Sequence, residues 1–146
     1  MTGINYPTIS VGEHQNLTVR LSLAAQLLMR RRGIDPATIG ALMSPVRIVP
    51  NTAARLQTDP LTIERPNPDA VSNVVAVFAC MVAENFIAGQ KPNQVDLSAA
   101  PTADYWATVI DDFSTVEKAV WAAVEKAVEE RRKRLAVVPP QKEVAS

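Results

Sequence analysis

The chain has 146 residues, 47% hydrophobic and 21% charged, which fits one domain with one sizeable core and excludes a disordered or fibrous chain. Aromatic residues make up only 5%, so Val, Leu, Ile and Ala must fill that core. Fifteen basic residues balance fifteen acidic ones, which leaves no long-range attraction for nucleic acid and a surface that resists self-association poorly.

The alternation of Ile9 and Val11 with Thr8 and Ser10, then of Leu17, Val19 and Leu21 with Thr18, Arg20 and Ser22, predicts a β-hairpin over 8–22 with one apolar face. Gly12 to Asn16 is read as its turn. Ser22 is the expected cap of a helix carrying Ala24, Leu27 and Leu28, with Leu23 and Met29 beside them. Arg30, Arg31 and Arg32 complement its C-terminal dipole, and Gly33 ends it. Asp35-Pro36 opens a short helix through Ile39, Leu42 and Met43.

Five prolines at 45, 50, 60, 66 and 68 then argue against long regular elements. The stretch 45–68 is read as an extended surface connector, with an edge strand at 46–49 and a helical turn or two at 52–57. Loops of this length often carry function. Asn67-Pro68-Asp69 starts the most hydrophobic helix. Its stripe is Val71, Val74, Val75, Phe78 and Val82, and Val77, Met81 and Ile87 widen it, so it is expected at the centre. A loop over 90–101 follows Gly89. A further helix spans about 102–112, and a last one starts at a capping box, Ser114 to Glu117. Val116, Val120, Val124, Ala127 and Val128 form the core face of that helix, and residues 136–146 are expected to be a polar tail. The fold expected is mainly α, about four helices in a single domain over 1–135, with the small N-terminal antiparallel hairpin packed on them.

Candidate chemistry is sparse. His14 is the single histidine and Cys80 the single cysteine, which allows no disulfide framework and no Cys/His zinc site. Nothing has nucleophile-elbow spacing around His14, which reads as a solvated turn residue. Asp104, Asp111 and Asp112 lack the sharply turned loop of a divalent-metal site. The five glycines form neither a P-loop nor a dinucleotide fingerprint, so no catalytic, metal or cofactor site is expected.

The opening residues lack signal-peptide character, and the longest apolar run, Val74–Ala83, has ten residues against the roughly 20 that span a bilayer. A cytoplasmic protein is expected, host-cytoplasmic or in the virion if viral. Two basic clusters, Arg30-Arg31-Arg32 and Arg131-Arg132-Lys133-Arg134, are the candidate interaction patch. Both stand where helix dipoles favour cations, and no aromatics are interleaved for base stacking.

The order of these elements resembles the tail assembly chaperones of long-tailed bacteriophages. The matching stretch runs from Thr8-Ile9-Ser10-Val11-Gly12 through Leu17-Thr18-Val19-Arg20-Leu21-Ser22 to the helix ending Arg32-Gly33-Ile34-Asp35. The later helices, with the start at Ser114 to Glu117 and the charged end, are similar too. The resemblance implies binding of a long helical tape-measure protein and recruitment of tail-tube subunits. The functional expectation is therefore a non-enzymatic assembly protein whose partners are other proteins, homo-oligomerisation included. A permanent subunit of a virion or other large assembly, such as a head–tail connector, is the first alternative. A DNA-binding regulator is the second.

Overall fold

The computed structural model describes residues 6–137. It is mainly α-helical, with five helices rather than four and two separate two-stranded antiparallel sheets. Strands β1 (Thr8–Val11) and β2 (His14–Thr18) pair as the first hairpin. Only Gly12 and Glu13 separate them, with Gly12 at φ +57°. That left-handed value is what a two-residue hairpin turn requires. The turn is thus shorter than the residue types at 12–16 indicate, and His14 lies in a strand instead. The apolar face is as expected: Val11, Leu17 and Val19 are buried, and Ile9 and Leu21 pack against them.

Helix α1 (Leu23–Arg31) starts at Ser22, whose Oγ accepts the Ala25 N–H at 3.1 Å, and stops before Gly33 at φ +80°, as its caps predict. It buries Ala25, Leu28 and Met29 but leaves Leu23 and Leu27 exposed. A 3-10 turn capped by the Asp35 side chain leads into α2 (Ile39–Met43), one short turn that buries both end residues.

Helix α3 (Ala70–Met81) is the centre. Every residue from Val77 to Ala83 is buried, and α1, α2, α4 and α5 all pack on it. A stripe that runs around most of a helix has to be enclosed in this way. The exception is Val71, exposed at the helix start. The segment 83–86 continues as a 3-10 turn, and 90–101 forms two more short 3-10 turns. Asn85 clips this region to the hairpin, accepting the Thr18 N–H and donating to its carbonyl.

Helix α4 (Ala103–Val109) is shorter than 102–112. Helix α5 (Phe113–Val137) starts one residue before Ser114. Asp112, not Ser114, supplies its N-terminal acceptor, taking the Thr115 N–H at 3.3 Å and the Thr115 hydroxyl at 2.7 Å. A charged carboxylate accepts more strongly than a hydroxyl, and these bonds hold the Asp112 carboxyl below its ordinary range. Along α5, Val116, Ala119, Val120 and Ala123 are buried, Val124 is half-buried and Val128 is exposed. The core face predicted for this helix is right in its first half and turns outward in its second. The expected polar tail lies mostly outside the described residues.

The largest departure is at 45–68. The five prolines do not produce a connector. Strands β3 (Val46–Pro50) and β4 (Thr62–Pro66) pair in unbroken antiparallel register from Val46 opposite Pro66 to Pro50 opposite Thr62. The hydrogen bonds at the two ends explain how prolines fit. Asn67 N–H reaches the Pro45 carbonyl and Asn51 N–H reaches the Leu61 carbonyl, both at 2.8 Å. Bonded pairs in an antiparallel ladder alternate, so 45, 47, 49 and 51 face inward while Val46, Ile48 and Pro50 turn their amides outward. On β4, Thr62, Glu64 and Pro66 are the outward ones. Pro50 and Pro66 therefore sit where the missing N–H removes nothing from the ladder.

Candidate interaction surface

Residues 45–67 form an arm. Among the described residues, β3 and β4 pack extensively against each other, and no other element packs extensively on either. A two-stranded hairpin alone is marginal in water, yet this one is braced at both ends. At its root Asn67 donates from Nδ2 to the Leu42 and Ser44 carbonyls at 3.0 and 2.9 Å. Its Oδ1 accepts from Arg47 and from the Asp69 N–H. Asn73 adds a bond to the Leu42 carbonyl at 2.8 Å. The Arg47–Asp69 ion pair at 3.6 Å is exposed and adds little. At the tip, Asn51 Nδ2 donates to the Pro60 carbonyl. Asp59 accepts the Arg55 and Leu56 amides at 2.8 and 3.0 Å, which lowers its carboxyl below the ordinary carboxylate range.

This braced arm displays apolar side chains to solvent. Ile48 is 63% exposed, Leu56 68% and Leu61 83%, with Val46 at 41%. Directly opposite residues share a face, so Val46, Ile48 and Pro50 stand beside Pro66, Glu64 and Thr62 on one side of the ribbon. Arg47, Arg65, Val49 and Ile63 occupy the other. Scattered exposed hydrophobics are ordinary, but Val46, Ile48 and Pro50 side by side on one face, with Leu56 and Leu61 exposed at the tip, make this element a candidate contact surface. Proline spacing hid this surface from the sequence, although the Val-Arg-Ile-Val run at 46–49 was its legible trace.

The two basic clusters stand on different helices. α1 and α5 do not pack substantially against each other, and each cluster ends its own helix. Arg30, Arg31, Arg131, Arg132, Lys133 and Arg134 are exposed, and Lys133 pairs with Glu129 at 3.2 Å one helical turn away. Arg32 differs. It is half-buried, donating from Nη2 to the Ala100 carbonyl at 3.2 Å, and its Nη1 is buried without a hydrogen-bond partner among the described residues. It also lies by Cys80, whose thiol is pushed up by burial, with the Arg32 charge pulling partly against that shift. Arg32→Gln should therefore cost about 1–2 kcal/mol, whereas Arg30→Gln with Arg31→Gln should stay within about 0.5 kcal/mol. Urea unfolding midpoints of the two variants check this, and equal midpoints would contradict the inward placement of Arg32.

His14 is the residue most changed by the tertiary structure. Its Nε2 lies 2.6 Å from the Tyr105 hydroxyl. Its ring centroid is 5.0 Å from Trp106 and 5.4 Å from Phe86. The imidazole is thus a packed member of an aromatic cluster joining β2, the turn after α3, and α4. Asp111 and Asp112 border a shallow groove with Ser10 and Gly12, and Asp112 is engaged as the α5 cap. Among the described residues, no group of three His, Cys, Asp or Glu is placed to hold a metal ion, and no helix is long and apolar enough to cross a membrane.

Neither the protein-family models, nor the curated proteins, nor the solved structures contain a match to this chain.

Proposed function

We propose that this protein works by binding other proteins during the building of a larger assembly, with the 45–67 arm as its docking element. The carrying observation is the arm itself: two strands braced by side-chain hydrogen bonds at root and tip, presenting Val46, Ile48, Leu56 and Leu61 to solvent. Pre-ordering matters because a docking segment fixed before contact avoids the ordering cost a flexible loop would meet on binding. The exposed Leu23 and Leu27 of α1 offer a second contact area on the body.

The resemblance to tail assembly chaperones names the first set of partners, a tape-measure protein and tail-tube subunits. The bracing of the arm at root and tip favours the second reading, a permanent subunit that reaches a neighbour in the finished particle. The one-turn α2, which buries Ile39 and Met43 at its ends, offers little surface for reading a DNA groove.

The test is affinity capture of the tagged protein from its native host, alongside a Leu56→Ser, Leu61→Ser variant. The variant should melt as wild type does, since both side chains are exposed, and should lose the captured proteins. A very long helical protein with tube subunits identifies a chaperone. Portal or capsid components at fixed stoichiometry identify a structural subunit. Capture of nucleic acid that falls steeply with salt, unaffected by the variant, would overturn the proposal.

A further inference from the structure

The geometry of the arm points to a specific first occupant of its open edge: a second copy of this chain, joined β3 to β3 about a two-fold axis at Ile48. This inference rests on the arm being a docking element and adds what one edge of it binds.

The two edges of the ribbon are chemically different. On β4 the outward positions are Thr62, Glu64 and Pro66. A charged residue and a proline are the usual means by which an edge is closed to further strands. On β3 the outward positions are Val46, Ile48 and Pro50, apolar throughout. Only the last of these lacks an N–H. The Val46 N–H is held merely by the Ser44 hydroxyl at 3.3 Å.

An antiparallel pairing of β3 with its own copy has two registers that form four main-chain hydrogen bonds. Centred on Ile48, the two Ile48 residues exchange both bonds, and each Val46 N–H donates to the Pro50 carbonyl of the other copy. The proline then supplies the acceptor and its missing donor is all the pairing lacks. Centred on Arg47, the bonds run between Val46 and Ile48, but the two Arg47 side chains stand directly opposite, where like charges repel. The Ile48 register avoids that contact. It also lines Val46, Ile48 and Pro50 of both arms into one continuous apolar strip on one face of a four-stranded sheet.

Two further features fit. Because Pro50 of one arm pairs with Val46 of the other, each tip passes beyond the other copy's Pro45. The exposed Leu56 and Leu61 are thus carried toward the root of the other arm, near which α3 begins with exposed Val71. This adds apolar area to a strand pairing that alone is small for a stable dimer, which buries upward of about 1,200 Å². The pairing is isologous, so it closes at two copies, and the outer β4 edges prevent growth into a filament.

Sedimentation of the purified protein over roughly 1–100 µM should show a monomer–dimer equilibrium. Ile48→Pro should abolish it, because the two central donors are lost. Glu64→Pro on the outer edge should leave it intact, with both variants melting like wild type. As a check independent of proline's effect on the strand, Ile48→Cys should form an intermolecular disulfide under mild oxidation, and Val49→Cys, which faces Arg47 of the other copy in this register, should not. The two Cα atoms of a bonded antiparallel pair lie about 5.5 Å apart, within disulfide reach. A monomer at every concentration, a dimer that survives Ile48→Pro, or cross-linking through Val49→Cys in place of Ile48→Cys would overturn the inference. If the protein stays monomeric while the Leu56, Leu61 variant still loses captured partners, the docking role of the arm stands and self-pairing alone is wrong.

Discussion

Val120→Asp is expected to unfold the helical body. Val120 is fully buried on α5, on the face that packs against α3, the central helix. A carboxylate there has no partner, because the described core contains no buried polar or charged residue. Burying an unpaired charge costs several kcal/mol or forces the group to take up a proton. Domains of this size are stable by only about 5–15 kcal/mol, and an aliphatic core with few aromatics belongs at the lower end. Circular dichroism at neutral pH should show lost helicity, or a melting temperature lowered by more than about 10 °C. Val124→Asp, one turn on, should be milder. The sequence places Val124 in the same core face, but the structure leaves it half-buried, with room for a carboxylate to reach water. Near-wild-type melting of Val120→Asp, or a Val124 variant as severe as it, would contradict the register of α5.

Trp106→Ala should cost about 3–5 kcal/mol, the range for emptying a large aromatic site. Trp106 is fully buried, with Phe78 at 5.1 Å, Tyr105 at 5.2 Å, His14 at 5.0 Å and Phe86 at 5.9 Å between ring centroids. These neighbours come from β2, α3, the turn after it and α4 itself, so one side chain joins four segments. Its indole N–H has no acceptor among the described residues, so truncation leaves no orphaned acceptor behind, and the loss is one of packing. Urea unfolding should show a lower midpoint with an unchanged slope. Near-UV circular dichroism should lose the aromatic signal while the helical signal remains at low temperature. A cost below about 1 kcal/mol would mean that the cluster is not the joint described here.

Local chemistry made much of the fold legible. Ser22 and Gly33 bound α1 because caps are satisfied by neighbours in sequence, whatever the rest of the chain does. The all-round apolar pattern of α3 announced a central helix, since no arrangement with a wet face would suit it. The first half of α5 followed from its period. Local chemistry failed where two acceptors competed, and Asp112 displaced Ser114 as the α5 cap.

The candidate site was far less legible. Arg30, Arg31 and Arg32 look alike in sequence, and only the position of the Ala100 carbonyl separates Arg32 from the others. His14 looked like a turn residue because the two-residue turn at Gly12 is a property of strand pairing, not of composition. The arm was hidden for the same reason. A proline removes one donor, and whether that donor was needed depends on the phase of a ladder whose partners stand far off in sequence, Thr62 for Pro50 and Val46 for Pro66. By itself the sequence determined the helical body, its apolar centre and the ends of α1, because these rest on periodicity and on bonds between near neighbours. The tertiary structure alone decided that 45–67 is an ordered, apolar, outward-facing arm, because strand register and exposure are set between residues that the sequence does not place side by side.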